Sequence, residues 1–359
     1  MTLGQLARWL TLPPGLAWRE APRSLTLPLT GAWNSLMGWV ERVASGRRPA
    51  AAAPERPPLF IIGHLGSGTA QVQRLLAHDP QFLSPTWRQC LFPNHGRQTE
   101  RRLPGWLRSR LVPFDPVQEA ATPLAAPQEE FALAILTGLS PWLFLSRPDL
   151  PQRILPLLDL SLLTPQEQTR WNLAYRTLLQ RLAHPGERRL VLNSPWSALR
   201  IPLLLELFPG AQFVHVVRDP ADDFRVSWTL WRRLIREHSL GTPHSEGWED
   251  VVLSMQERTH RTYQRDRELI PPDRRHELRF EDLQRDPLGE LERLYAALGL
   301  AGWDRRLGLE AVQRTELRRS LVAPFEEVPP LSEASHTRLR RLSEEQGYPP
   351  PAVLQDQAA

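Results

Sequence analysis

Apolar positions fall along this chain in two alternating patterns, short unbroken runs and longer segments where they recur at helical spacing. Leu59-Phe60-Ile61-Ile62 is a run of the first kind, suited to a strand buried on both faces of a parallel sheet. Gly63, Gly66 and Gly68 follow, and Thr69 to Ala77 then sets Val72, Leu75 and Leu76 on one helical face. Arg189 to Leu192 and Gln212 to Val217 repeat the buried-strand pattern, and His276 to Phe280 is a shorter strand. Helices are predicted over Glu129–Leu136, Ala198–Phe208 with Pro202 in its first turn, Pro220 to about Ile235, Trp248–Leu269, Pro287–Leu298, Trp303–Ser320 and Ser332–Gln346. Another starts at Thr164-Pro165-Gln166-Glu167, a capping box, and runs to about Leu182. Gln81 to His95 reads as loop with one helical turn, and residues 97–127, rich in Arg and Pro, show no clear period.

Strands that alternate with helices imply an α/β fold, a doubly wound parallel sheet. In such sheets ligands sit beyond the carboxyl ends of the strands, which puts Gly63 to Thr69 and Arg218, the residue after the third long strand, on one rim. Three regions are expected: residues 1–56 as an amphipathic N-terminal extension with a Pro- and Ala-rich linker, 57–330 as the α/β domain, and 331–359 as a C-terminal helix and tail.

Composition removes several function classes. All 44 basic residues are arginine, set among 40 acids for a formal charge of only +4, and no basic stripe interleaved with aromatics appears. Nucleic-acid binding is therefore not expected. Cys90 is the single cysteine, so neither an internal disulfide nor a cysteine zinc site can form, and a cytoplasmic setting is expected. No run of about 18 apolar residues is present to span a bilayer, and the start lacks the pattern of a signal peptide. Residues 1–43, with Trp9, Trp18, Trp33 and Trp39, read as a docking helix on the protein's own surface, with peripheral membrane contact as the minority alternative.

A strand, a glycine turn and a helix N-terminus together make an anion cradle, since free N–H groups and the helix dipole converge there. Gly63 and Gly68 have the spacing of a nucleoside-triphosphate loop, but Thr69-Ala70 stand where its lysine and its magnesium-binding hydroxyl belong. No metal site is expected. A dinucleotide fingerprint is absent as well.

From about Pro57 to Pro324 the chain resembles the bacterial sulfotransferases that use 3′-phosphoadenosine 5′-phosphosulfate (PAPS) as donor. The likeness rests on PPLFIIGHLGSGT, SPTWRQCLFPNH, PQEEFAL, RIPLLLELFPGAQFVHVVRDP with Trp231 downstream, and RFEDLQRDPLGELERLYAALGL. It implies a P-loop-like three-layer fold and transfer of a sulfuryl group to a hydroxyl or amine of a small molecule or glycan. It further implies that Gly63, Gly66, Ser67, Gly68, Thr69 and Ala70 wrap the phosphosulfate, that Arg218 grips the 3′-phosphate, and that Arg318 and Arg319 lie near the same phosphate.

The family pattern Arg-Ser-Gly-Thr-Thr is here Gly66-Ser67-Gly68-Thr69-Ala70. Eight residues beyond Arg218, Val226 occupies the place of a phosphate-binding serine, with Ser227 adjacent, and Asn193 stands in place of a lysine. PQEEFAL is one acidic residue shorter than the family pattern. Such losses would leave the fold intact while impairing catalysis, so a binding or regulatory module is the alternative function. Restoring arginine at position 66 is expected to raise sulfotransfer if the chain is an enzyme. His64 and Glu130 are the candidates for general base, with Glu129 and His95 beside them. Each has a bland counterpart, a structural hydrogen bond for His64 and favourable dipole placement for the two glutamates. Asp219, Glu281 and Asp282 read as capping or loop-fixing residues.

Overall fold

The computed structural model describes Leu36 and residues 56–94, 127–146, 155–183, 188–239, 247–315 and 331–351. Its centre is one sheet of five strands, β1 (Leu59–Ile62), β2 (Phe82–Leu83), β3 (Arg189–Asn193), β4 (Gln212–Val217) and β5 (Arg275–Arg279), in the spatial order β2-β3-β1-β4-β5. Every neighbouring pair is parallel. Leu59 pairs with Val191 on one side and Gln212 on the other, so β1 is hydrogen-bonded along both edges. The chain builds β2 and β3 to one side of β1, then crosses to build β4 and β5 on the other. The strand order therefore reverses at β1 and β4, and the crevice of a doubly wound sheet opens above their carboxyl ends.

Period-two alternation explains the layers. Phe60 and Ile62 of β1 join Leu190, Leu192 and Phe213 in one core, while Leu59 and Ile61 join Val191, Val214 and Val216 in the opposite one. Helices cover both. Against the first core lie α3 (Glu129–Thr137), α5 (Pro165–Leu182) and α6 (Ile201–Leu207); against the second lie α1 (Thr69–Ala77), α9 (Phe280–Arg285), α10 (Pro287–Ala297) and α11 (Arg305–Thr315). A third apolar cluster brings together Leu65, which follows β1, Trp196, which follows β3, and Phe224, Trp228 and Trp231 of α7 (Pro220–His238), which follows β4. It also takes in Trp142, and Trp248 of α8 (Trp248–Asp266). Leu65, Trp196 and the three α7 residues thus come from the segments that leave the carboxyl ends of three strands.

Local signals account for most element ends. Thr164 and Glu167 form the expected capping box of α5, with Pro165 in its first turn. Asp219 caps α7 through Ala221 N–H at 2.9 Å and Asp222 N–H at 3.2 Å. Three expectations need correction. The stretch from Gln81 holds β2, two residues paired with Arg189 and Leu190 and too short to show a period, ahead of α2 (Trp87–Leu91). The helix expected from Ala198 begins at Ile201 after a tighter turn over Ser197–Leu199, because Pro202 sets the first helical turn. The helix expected to reach Leu269 ends at Asp266, and Arg267–Leu269 close it as 3-10 turn. Pro141–Ser146, a 3-10 helix, and α4 (Leu155–Asp159) complete the middle of the chain, and α12 (Glu333–Glu345) lies near its end.

Candidate active site

The loop from Gly63 to Gly68 joins the most buried strand to α1. Gly68 has φ of 100°, a conformation costly for a side-chain-bearing residue, and a Cβ there would also enter the ring of Phe280. Ser67 closes the turn by donating its N–H at 3.1 Å and its hydroxyl at 2.8 Å to the His64 carbonyl. No side chain caps α1, and its first turn holds no acid. Among the described residues the backbone N–H groups of Gly68, Thr69 and Ala70 accordingly have no partner, at the positive end of the helix dipole. Those are the properties of an anion cradle.

Arg218, one residue past β4, closes on the loop from the side. Its Nη1 donates to the Gly66 carbonyl at 3.3 Å, and its guanidinium carbon lies 4.8 Å from the centre of the Phe280 ring. It has no carboxylate partner among the described residues. Asp219 behind it is fixed by its own carboxylate, which caps α7, and by its N–H, which donates to Glu281 Oε1 at 2.9 Å; Tyr348 in turn holds Glu281 by donating to Oε2 at 2.9 Å. Asp219 and Glu281 thus hold the structural places expected of them.

The first turns of α7 lie directly over Gly66. A Cβ at that position would fall inside 3.0 Å of both the backbone oxygen and Oδ1 of Asp223, and 2.7 Å from Ser227 Oγ. No side chain fits there with α7 in place. Asp223 Oδ1 is bonded instead to His64 Nδ1 at 2.8 Å and accepts from Ser227 Oγ at 3.1 Å, and Ser227 Oγ lies 3.3 Å from His64 Nδ1. All three residues are buried, and His64 Nε2 has no partner among the described residues. Ser227 therefore faces His64 and Asp223, while Val226 is packed in the apolar interior.

At the end of β3, Asn193 N–H donates to Glu129 Oε2 at 3.2 Å, and Tyr175 donates to Glu129 Oε1 at 3.2 Å. Burial pushes the Glu129 carboxyl up to about 7, and the neighbouring Glu130 adds to the shift. Cys90 is also buried there, its thiol raised by desolvation and then by Glu129. Glu130 is gripped by Arg200, with Nη1 at 2.8 Å from Oε2 and Nη2 at 3.3 Å from Oε1. Arg200 also donates to the carbonyls of Leu157 and Leu158, both at 2.9 Å.

The structure thus brings together the loop, Arg218, His64 and Ser227, and sets Glu130 in an ion pair. Arg318, Arg319 and His95 lie outside the described residues. Three contributors escaped the sequence reading: Asp223, Phe280 and Arg200. The four-residue spacing of Asp223 and Ser227, which puts both on one face of a helix, was the one available signal.

Fold and site together define an α/β protein with a phosphate-type loop on its switch-point rim. The pattern of the sulfotransferase family matches residues 57–305. Omega-hydroxy-beta-dihydromenaquinone-9 sulfotransferase Stf3 of Mycobacterium bovis, and its namesake in Mycobacterium tuberculosis, are each 34% identical over 272 residues, 76% of this chain and 70% of theirs. The chain belongs to the sulfotransferase family. Crystal structures of sulfotransferase STF1 from Mycobacterium tuberculosis H37Rv and STF9 from Mycobacterium avium share its fold, with TM-scores of 0.58 and 0.60 at 20% and 18% identity. They cover 94% and 96% of this chain, and 90% of each neighbour is matched.

Proposed function

We propose that the chain moves a sulfuryl group from PAPS to a hydroxyl of an apolar, ring-bearing acceptor. The observation that carries this reading is the open set of N–H donors at the start of α1, with Arg218 held against the same loop and without a carboxylate partner among the described residues. PAPS supplies a sulfuryl group bonded to a phosphate that leaves with its charge stabilised. The N–H groups of Gly68, Thr69 and Ala70 suit that phosphosulfate, and the fork of Arg218 suits the 3′-phosphate. Ser67 gives both its donors to His64 and so shapes the loop rather than the donor contact. The Thr69 hydroxyl, without a partner among the described residues, is the loop's remaining side-chain donor.

The third apolar cluster supports this acceptor class, as do the mycobacterial relatives named for a hydroxylated dihydromenaquinone. Phe131 stacks on Trp142 at 4.9 Å, and Trp142 meets Trp196 edge-on at 5.9 Å. The buried indole N–H groups of Trp142, Trp196 and Trp228 have no acceptor among the described residues. An aromatic layer packed next to the loop suits an acceptor with a planar ring on an apolar body. Such an acceptor resides in a bilayer, so the amphipathic residues 1–43 are the proposed contact with it, in a cytoplasmic protein.

Incubating purified protein with labelled PAPS and a hydroxylated isoprenoid quinol should give labelled sulfated product. Binding of the spent donor, 3′-phosphoadenosine 5′-phosphate (PAP), without transfer to any hydroxyl in a lipid extract would favour the binding-module reading instead. No heat with millimolar PAP in calorimetry would overturn donor binding altogether.

A further inference from the structure

The loop from Gly63 to Thr69 holds one titratable side chain, His64, and it is anchored on a single edge of its ring. An ionised Asp223 can only accept, so the 2.8 Å contact assigns a proton to His64 Nδ1. The Ser227 hydroxyl donates to the same Asp223 oxygen at 3.1 Å and adds to the anchorage. In the neutral ring, Nε2 is then a buried lone pair without a donor among the described residues. An anion bound within reach of this ring would repel that lone pair. Protonation turns it into a charge-assisted donor, and Asp223 is placed to compensate the cation.

We propose that His64 takes up a proton as the phosphosulfate group binds and donates its Nε2–H to that group, with Asp223 as the positioning residue that orients the ring and balances its charge. Glycine at 66 belongs to the same device, because its missing side chain admits the Asp223 carboxylate. The proposal rests on the donor-loop reading of the previous subsection. Other charged groups about the loop come from each neighbouring element. Arg218 and Asp219 lie at the end of β4, and Glu281 of α9 is bonded to Asp219 N–H. Glu129 and Glu130 of α3 lie at the end of β3, the second paired with Arg200. Asp222 of α7 is half-buried and pairs with Arg225.

The test is calorimetric titration of the full chain with PAP near pH ~7.5 in two buffers of different ionisation enthalpy, a comparison that counts protons exchanged on binding. A phosphate gripped by cations releases protons, so net uptake has the opposite sign to anything PAP itself contributes. We expect net uptake by the unaltered protein, and an affinity that rises up to about tenfold for each unit fall in pH. In His64→Gln the uptake should vanish and affinity should fall about tenfold, and in Asp223→Asn the uptake should shrink with the fold retained by circular dichroism. Binding of PAP with no uptake by the unaltered protein overturns the inference even if neither variant folds. Uptake undiminished in a folded His64→Gln protein overturns it equally, whereas absence of PAP binding at every pH overturns the donor-site reading instead.

Discussion

At position 66 there is room for a hydrogen atom and nothing larger. The sequence comparison makes Gly66 look like a lost charge, and the structure makes it the seat of the Asp223 carboxylate. Arginine at 66 would therefore displace α7 rather than raise sulfotransfer. Gly66→Ala should lower stability by about 1–3 kcal/mol through overpacking against α7, read as a fall in the urea midpoint. Gly66→Arg should lose PAP binding as well, because any side chain there forces α7 off the loop. A second residue-scale prediction concerns Glu130. Its carboxylate and the Arg200 guanidinium are 1% and 2% exposed, so Glu130→Ala strands a buried cation. The loss should be about 3–5 kcal/mol in denaturant unfolding. Loss of transfer with unchanged stability would instead return Glu130 to the role of base.

At the scale of elements, the two long capped helices separate stability from function. Thr164→Ala removes the capping box of α5, remote from the loop, and should cost about 1 kcal/mol while PAP affinity is unchanged. Asp219→Ala removes the cap of α7 at a similar cost of about 1 kcal/mol, but it also loosens the segment that carries Arg218, so affinity should fall. Melting curves paired with calorimetry read both. These elements also mark what the sequence made legible. The strands β1, β3 and β4 announce themselves because burial on both faces demands unbroken apolar runs, and Arg218 was readable because it follows such a run. β2 was hidden by its brevity. The grip of Arg200 on Glu130 spans 70 residues, and the seating of Asp223 over Gly66 depends on how α7 crosses the loop. Local pattern encodes neither.

For the molecule as a whole, one buried carboxyl sets a pH dependence. Glu129, ordinarily near 4.5, is raised to about 7 by burial, so the folded state favours its protonated form. Its contribution is fully present below about pH 4.5 and is lost as pH rises through about 7, on the order of 3 kcal/mol in all. Glu129→Gln should flatten that fall, and denaturant unfolding at pH ~5 and ~8 would show it. The sheet also ties the loop to the aromatic cluster, since Leu65 lies among Trp142, Trp196 and Trp231. Any shift of the loop on ligand arrival changes the surroundings of these fluorophores. The protein thus carries its own optical gauge, and a titration followed by tryptophan emission would report occupancy of the cradle without a label.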